Sequence, residues 1–274
     1  MPGLSQPPAQ RPAERPSAQR PAEHPLLAAP RRDALVTAAV AALTAAVFVL
    51  VGDHSVLTRI QRIDDAWLRL MVSSREPPLT AIARFFNLLG LVYVTLPARI
   101  AIAGFLALRR RWWHLAAFAG AVAVSEILIG LLKGVYGRPR PPGSLVATSG
   151  ASFPSGHAVA ASVTVVAAVI VLSPAGRRRA AWGLLAVAFS AVMALSRAYL
   201  GAHWLSDSAA GVLLGTSCAL TAAVLAGQLQ RRPGRSGRPG PPDREPLPVP
   251  FRRTGREGRR EGGDRHEPGP GPAG

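Results

Sequence analysis

Ser196-Arg197-Ala198-Tyr199-Leu200-Gly201-Ala202-His203-Trp204-Leu205-Ser206-Asp207 stands between two long apolar runs, residues 180–195 and 207–227. An Arg, a His and an Asp between two runs of that kind are costly to keep unless they are used. His203 and Asp207 are four residues apart, so a helix that has begun by His203 stacks them on one face. A carboxylate so placed takes the proton of one ring nitrogen and leaves the other bare, as a nucleophile or base. The same pair also serves simply to cap a helix. The remainder of the chain has to decide between these readings.

Working outward, 49% of the 274 residues are hydrophobic, only 6% are aromatic, and the apolar residues fall in blocks. That is the pattern of membrane spans rather than of a soluble core. Residues 34–52 are long enough for one crossing at about 1.5 Å per residue. Further spans are expected at 87–108, interrupted by Pro97 and Arg99, and at 112–132, which carries Glu126. Residues 157–172, 180–195 and 207–227 complete six. Between the first two, residues 53–86 mix Ile60, Ile63, Trp67 and Leu68 with Arg59, Arg62, Asp64 and Asp65 at helical spacing. This reads as one interfacial amphipathic helix ended by Pro77-Pro78. Glu126 has two available partners, Arg99 on the preceding span or Lys133 seven residues on. The expected fold is an all-α integral membrane bundle of six transmembrane helices.

Residues 1–33 and 229–274 are rich in Pro, Arg and Gly without apolar periodicity, and they read as disordered basic tails around a membrane domain at 34–228. A secretory signal peptide does not fit, because the first apolar block begins only at Ala34. The formal charge of +17 comes with 31 arginines and a single lysine, Lys133. Its placement argues against nucleic acid as the partner: Arg109–Arg111, Arg177–Arg179 and both tails fall on one side of a six-span bundle. The positive-inside rule makes that side cytoplasmic. The amphipathic segment, the 133–156 loop and the 196–207 turn then meet at the opposite, extracytoplasmic face. The lone Cys218 excludes an intrachain disulfide, and Asn87, the only asparagine, is not in a glycosylation sequon.

The segments meeting at that face carry compatible chemistry. Lys133-Gly-Val-Tyr-Gly-Arg-Pro-Arg140-Pro141 offers a compact ammonium and two guanidinium forks suited to a tetrahedral oxyanion. Phe153-Pro154-Ser155-Gly156-His157 is a tight turn opening a helix, where free N–H groups and a hydroxyl favour an anion and His157 is placed to donate a proton. No metal-ligand cluster is apparent, since His203 and Asp207 are the only ligand types closely spaced near the site.

Taken in order, these motifs resemble the type 2 phosphatidic acid phosphatase and vanadium haloperoxidase superfamily, whose signature is Lys-x6-Arg-Pro, Pro-Ser-Gly-His and Ser-Arg-x5-His-x3-Asp. Lys133 with Arg140-Pro141, Pro154–His157, and Ser196, Arg197, His203 and Asp207 match it at every signature position. The resemblance covers roughly residues 35–227. It implies that His203 attacks phosphorus to give a phosphohistidine, with Asp207 fixing its tautomer. His157 protonates the leaving oxygen, while Lys133, Arg140, Arg197, Ser155 and Gly156 hold the phosphate oxygens. No cofactor or metal is implied, and the expected partners are a lipid phosphate and the surrounding membrane lipids. Such charge stabilisation suits phosphoryl transfer without a divalent ion. A lipid phosphotransferase would share every motif. The six expected spans argue against a soluble haloperoxidase, and a channel or transporter gives no reason for His203-x3-Asp207 beside Pro-Ser-Gly-His.

Overall fold

The computed structural model describes residues 25–27 and 29–231. Among them the chain forms eight helices and no strand: α1 (Pro30–Gly52), α2 (His54–Ser73), α3 (Pro77–Leu89), α4 (Val92–Leu108), α5 (Trp112–Tyr136), α6 (Gly156–Leu172), α7 (Arg177–Tyr199) and α8 (Leu205–Arg231). Helix α1 starts at Pro30, where proline's missing N–H costs nothing, and Asp33 accepts the Ala29 N–H at 3.1 Å. Leu26 and Leu27 are buried, and their carbonyls accept from Arg179 (2.7 Å) and Arg231 (2.9 Å). The expected N-terminal tail therefore ends earlier than residue 33. The rest of both expected tails, residues 1–24 and 232–274, lies outside the described residues.

The single interfacial helix expected over 53–86 is two helices. Asp53 caps α2 by accepting the N–H groups of Ser55 (2.9 Å) and Val56 (3.0 Å). Pro77 and Pro78 open α3 instead of closing α2, because proline suits the first turn of a helix. The break expected at Pro97 occurs instead at Gly90–Leu91, where α3 and α4 bend by 49°, and α4 runs on through Pro97. At that break a Cβ on Gly90 would overlap the His157 ring, at 3.0 Å from its Cγ, so the backbone passes closer to the ring than any side chain allows. Helix α7 extends past residue 195, so Ser196 and Arg197 lie on its last turn.

Helices α1, α5, α7 and α8 are each long and apolar enough to cross a membrane, and the bent α3–α4 pair makes a fifth candidate. Six crossings require α6, an apolar helix of 17 residues, to be counted as well. The exterior is apolar, unlike that of a water-soluble bundle: Leu108 is 86% exposed and Val135 78%, while Thr44, Ser162, Ser190 and Ser217 are buried among the core residues. The Thr44 and Ser217 hydroxyls pair at 2.8 Å between α1 and α8. Helices α6 and α8 touch along Gly211-x3-Gly215. A Cβ at Gly211 would come within 2.8 Å of the Ser155 carbonyl, and one at Gly215 would overlap Ser162. That close approach brings the start of α8 against the start of α6.

Candidate active site

At one end of the bundle the C-terminal ends of α5 and α7 meet the N-terminal ends of α6 and α8, with α2 alongside. Loop hydrogen bonds knit these ends together: the Ser155 N–H donates to the Asp207 carbonyl (3.1 Å), Ser152 N–H to Arg138 O (2.8 Å) and Trp204 Nε1–H to Pro139 O (2.9 Å). All eight residues singled out in the sequence fall on these ends or on the loops joining them.

His203 is 3% exposed and precedes α8, so the expected stacking with Asp207 on a common helical face does not form. Its Nδ1 lies 2.7 Å from the Ser152 carbonyl and 3.9 Å from Asp207 Oδ2. A carbonyl only accepts, so Nδ1 carries the proton and Nε2 keeps its lone pair. The Ser152 carbonyl is the nearer partner of that proton, and Asp207, the residue expected to fix the tautomer, lies 3.9 Å away. Nε2 faces the Arg140 guanidinium at 3.1 Å. Burial, reinforced by the positive charges of Arg197 and Arg140 and partly offset by Asp207, pushes His203 down to about 4. The ring is neutral near pH 7, with Nε2 unprotonated.

Asp207 sits in the first turn of α8 and accepts the Trp204 N–H at 3.0 Å, which is the helix-capping role. The same carboxylate also accepts from the Ser152 hydroxyl and, at 2.6 Å, from Arg138 Nη1. It therefore braces the segment on each side of His203 as well as facing the ring.

Arg140 reaches across the loop to the carbonyls of Ser149 (2.7 Å), Gly150 (3.0 Å) and Ala202 (2.7 Å), and Lys133 Nζ donates to Ala151 O at 2.5 Å. Arg197 donates through Nη1 to Asn87 Oδ1. The His157 ring, packed on Gly90, has a hydrogen bond with the Asn87 backbone. Three buried polar atoms in this cluster have no partner: Ser155 Oγ, His157 Nε2 and Arg197 Nε. Gly156 opens α6, whose first-turn N–H groups have no acceptor within the helix. Unpaired donors, a helix N-terminus and bound cations together form a cradle for a tetrahedral anion.

Sequence reasoning missed Asp64, Ser152 and Asn87, and it read Arg138 as a second fork for the oxyanion, whereas that guanidinium is taken up by Asp64 and Asp207. Arg138 joins Asp64 Oδ2 (2.8 Å), Gln61 Oε1 (2.7 Å), Ser206 Oγ (2.8 Å) and Asp207, and its guanidinium lies 5.5 Å from the Trp204 ring centroid. Asp64 also accepts the Ser206 N–H at 2.9 Å. A signal for Asp64 was present, since it shares the apolar face of α2 with Ile60, Trp67 and Leu68 at helical spacing. Ser152 acts through its backbone as well as its hydroxyl, and no residue pattern marks that.

The PAP2 superfamily model matches residues 114–231, a segment that holds every motif residue. Decaprenylphosphoryl-5-phosphoribose phosphatase of Mycobacterium tuberculosis is 39% identical over 140 residues, covering 48% of this chain and 72% of that protein.

The chain belongs to the PAP2 superfamily.

Phosphatidylglycerophosphatase B of Bacillus subtilis is 28% identical to it over 161 residues, 57% of this chain and 79% of the relative. The crystal structure of a transmembrane PAP2 type phosphatidylglycerolphosphate phosphatase from B. subtilis superposes with a TM-score of 0.58 at 24% identity, covering 73% of this chain and 98% of that one. This PAP2 protein is thus a multi-pass membrane phosphatase, with helices and no strand among its described residues. The family match begins at His114, so Asp64, Asn87, Gly90 and Arg99 enter the site region from outside it.

Proposed function

We propose that this PAP2 phosphatase hydrolyses a terminal phosphomonoester or pyrophosphate carried by a membrane lipid, through a phosphohistidine at His203. The observation that carries this reading is the unpaired trio of Ser155 Oγ, His157 Nε2 and Arg197 Nε, buried in the same cluster of helix ends as His203, whose Nε2 keeps its lone pair. In the first step Nε2 forms a bond to phosphorus as the bond to the leaving oxygen breaks, and that oxygen takes the proton from Nε2 of His157, whose protonated form the negative charge of the bound phosphate favours against burial and the neighbouring Arg197. In the second, His157 removes a proton from water, the water oxygen attacks phosphorus, the N–P bond breaks and inorganic phosphate leaves. Lys133, Arg140 and Arg197, with Ser155 and the N–H groups at Gly156, stabilise the equatorial oxygens. No metal or cofactor takes part in these steps.

The lipid substrate is supported by the apolar exterior and by what the relatives are named for. Phosphatidate, phosphatidylglycerol phosphate and polyprenyl pyrophosphate are the candidate substrates, and nucleic acid is not one. With six crossings, the arginines at 109–111 and 177–179 put both tails in the cytoplasm and the site on the outer face of the cell membrane. The decisive experiment traps the intermediate: purified enzyme mixed with a labelled phosphate ester and quenched yields an acid-labile phosphoenzyme. His203→Asn abolishes both the label and turnover, and label incorporated normally by that variant refutes the mechanism.

A further inference from the structure

A cavity of about 620 Å³ opens between α4, α5 and α6, reaching from Gly90 and Gly156 at the catalytic end down toward Ile100 and Phe118. Its walls are apolar apart from Thr95 and one pair of charges, Arg99 on α4 and Glu126 on α5, joined at 2.7 Å. The mechanism above uses neither. An ion pair at membrane depth is costly and rarely improves on apolar packing, so its position on the wall of a cavity that reaches Gly90 and Gly156, the neighbours of His157, calls for a use.

The depth of Arg99 is set by its hydrogen bonds. Its Nε donates to Thr164 Oγ1 at 2.9 Å and its Nη2 to the Ala160 carbonyl at 3.4 Å. Those residues lie three and seven positions after His157 on α6, which puts the guanidinium about 5–10 Å further along the helix axis. The leaving oxygen of a phosphate held at His203 faces His157. A chain continuing from that oxygen past His157 toward the bilayer meets the end of the cavity at Gly90 and Gly156, with Arg99 further along its wall. The two partners also differ in exposure: the Arg99 side chain is 12% exposed and the Glu126 side chain 51%. The carboxylate is free to swing into the cavity while the guanidinium stays anchored to α6.

We propose that Arg99 is a second anion subsite, which binds the internal phosphodiester of a lipid whose terminal phosphate, a short polyol away, sits at His203. Glu126 is the placeholder that keeps the guanidinium neutralised until the diester displaces it. A glycerol or pentose bridge spans a distance comparable to the depth of Arg99 below His157, and the fork of Arg suits a diester's two free oxygens. A lipid monophosphate such as phosphatidate carries no anion at that depth. This reading rests on the lipid phosphatase function and narrows it to lipids with two separated phosphates.

The test compares phosphate release from phosphatidylglycerol phosphate and from phosphatidate with the same acyl chains, in mixed micelles, as a ratio of kcat/KM. Hydrolysis of an aryl phosphate normalises for correctly folded enzyme. The wild type is expected to favour phosphatidylglycerol phosphate, and Arg99→Met to lower that preference by about 10- to 100-fold, the worth of a hydrogen bond to a charged group. Glu126→Gln, which releases the guanidinium while keeping the shape of the side chain, is expected to raise the preference, and it decides the matter if Arg99→Met does not fold. Equal loss on both lipids in Arg99→Met, an unchanged ratio in Glu126→Gln, or a wild type without preference overturns the subsite and leaves the lipid phosphatase reading standing. Release from neither lipid overturns both.

Discussion

Arg138 holds two buried carboxylates together, and removing it should expose how much of the site depends on that link. Its side chain is 4% exposed, those of Asp64 and Asp207 are 1% and 0%, and the two ion pairs measure 2.8 and 2.6 Å. Arg138→Met leaves both buried carboxylates without their ion-paired guanidinium, a loss of about 3–5 kcal/mol. Asp64→Asn keeps an acceptor for the Ser206 N–H but removes one charge, costing about 1.5–3 kcal/mol. In the double variant the orphaned Asp64 charge is already gone. The combined cost should therefore fall short of the sum by about 1–3 kcal/mol. Unfolding by an ionic detergent titrated into mild micelles, followed by tryptophan fluorescence, measures each corner of the cycle. Trp204 lies against the Arg138 guanidinium and reports on this region. In the folded fraction of Arg138→Met, aryl phosphate turnover should drop by about tenfold or more, because Asp207 no longer braces the backbone on each side of His203. Additivity within about 0.5 kcal/mol, the value for independent sites, would refute the three-member network.

His157→Asn should slow hydrolysis of an alkyl lipid phosphate by about 100-fold or more but scarcely affect an aryl phosphate, whose leaving group needs no proton; equal losses on the two substrates would remove His157 from the acid role. Gly90→Ala should lower kcat by about tenfold or more by pushing on the His157 ring, whereas Gly104→Ala, with nothing within 4 Å of the added carbon, should leave kcat intact; no difference between the two would contradict the packing. Because the His203 pKa is lowered from 6.5 to about 4, the free enzyme keeps the ring neutral above that value and loses reactivity only as pH falls through it. Acylation of His203 in a His157→Asn background, read by mass spectrometry, should therefore have its midpoint near pH 4, and a midpoint at 6.5 would show a ring that is not desolvated.

The chain order of its motifs already grouped Lys133, Arg140, Ser155, Gly156, His157, Arg197, His203 and Asp207 as one candidate site, and the helix ends that carry them adjoin. Apolar blocks of spanning length, with basic turns between them, already placed those motifs at one end of a helical bundle. Both inferences needed only local information, because span length, charge position and motif spacing are properties of contiguous residues. Tertiary structure alone decided the rest. The proton on His203 is held by the Ser152 carbonyl, a backbone group that every residue carries and no sequence pattern singles out. Asp64 and Arg138, from α2 and the loop after α5, find each other only once α2 lies along the catalytic end. Glu126 pairs with Arg99 rather than Lys133 because α4 packs beside α5, while Lys133 is taken up by the Ala151 carbonyl. Which buried charge meets which is settled by how the helices pack, since the desolvated partner that lowers the energy most lies far away in sequence.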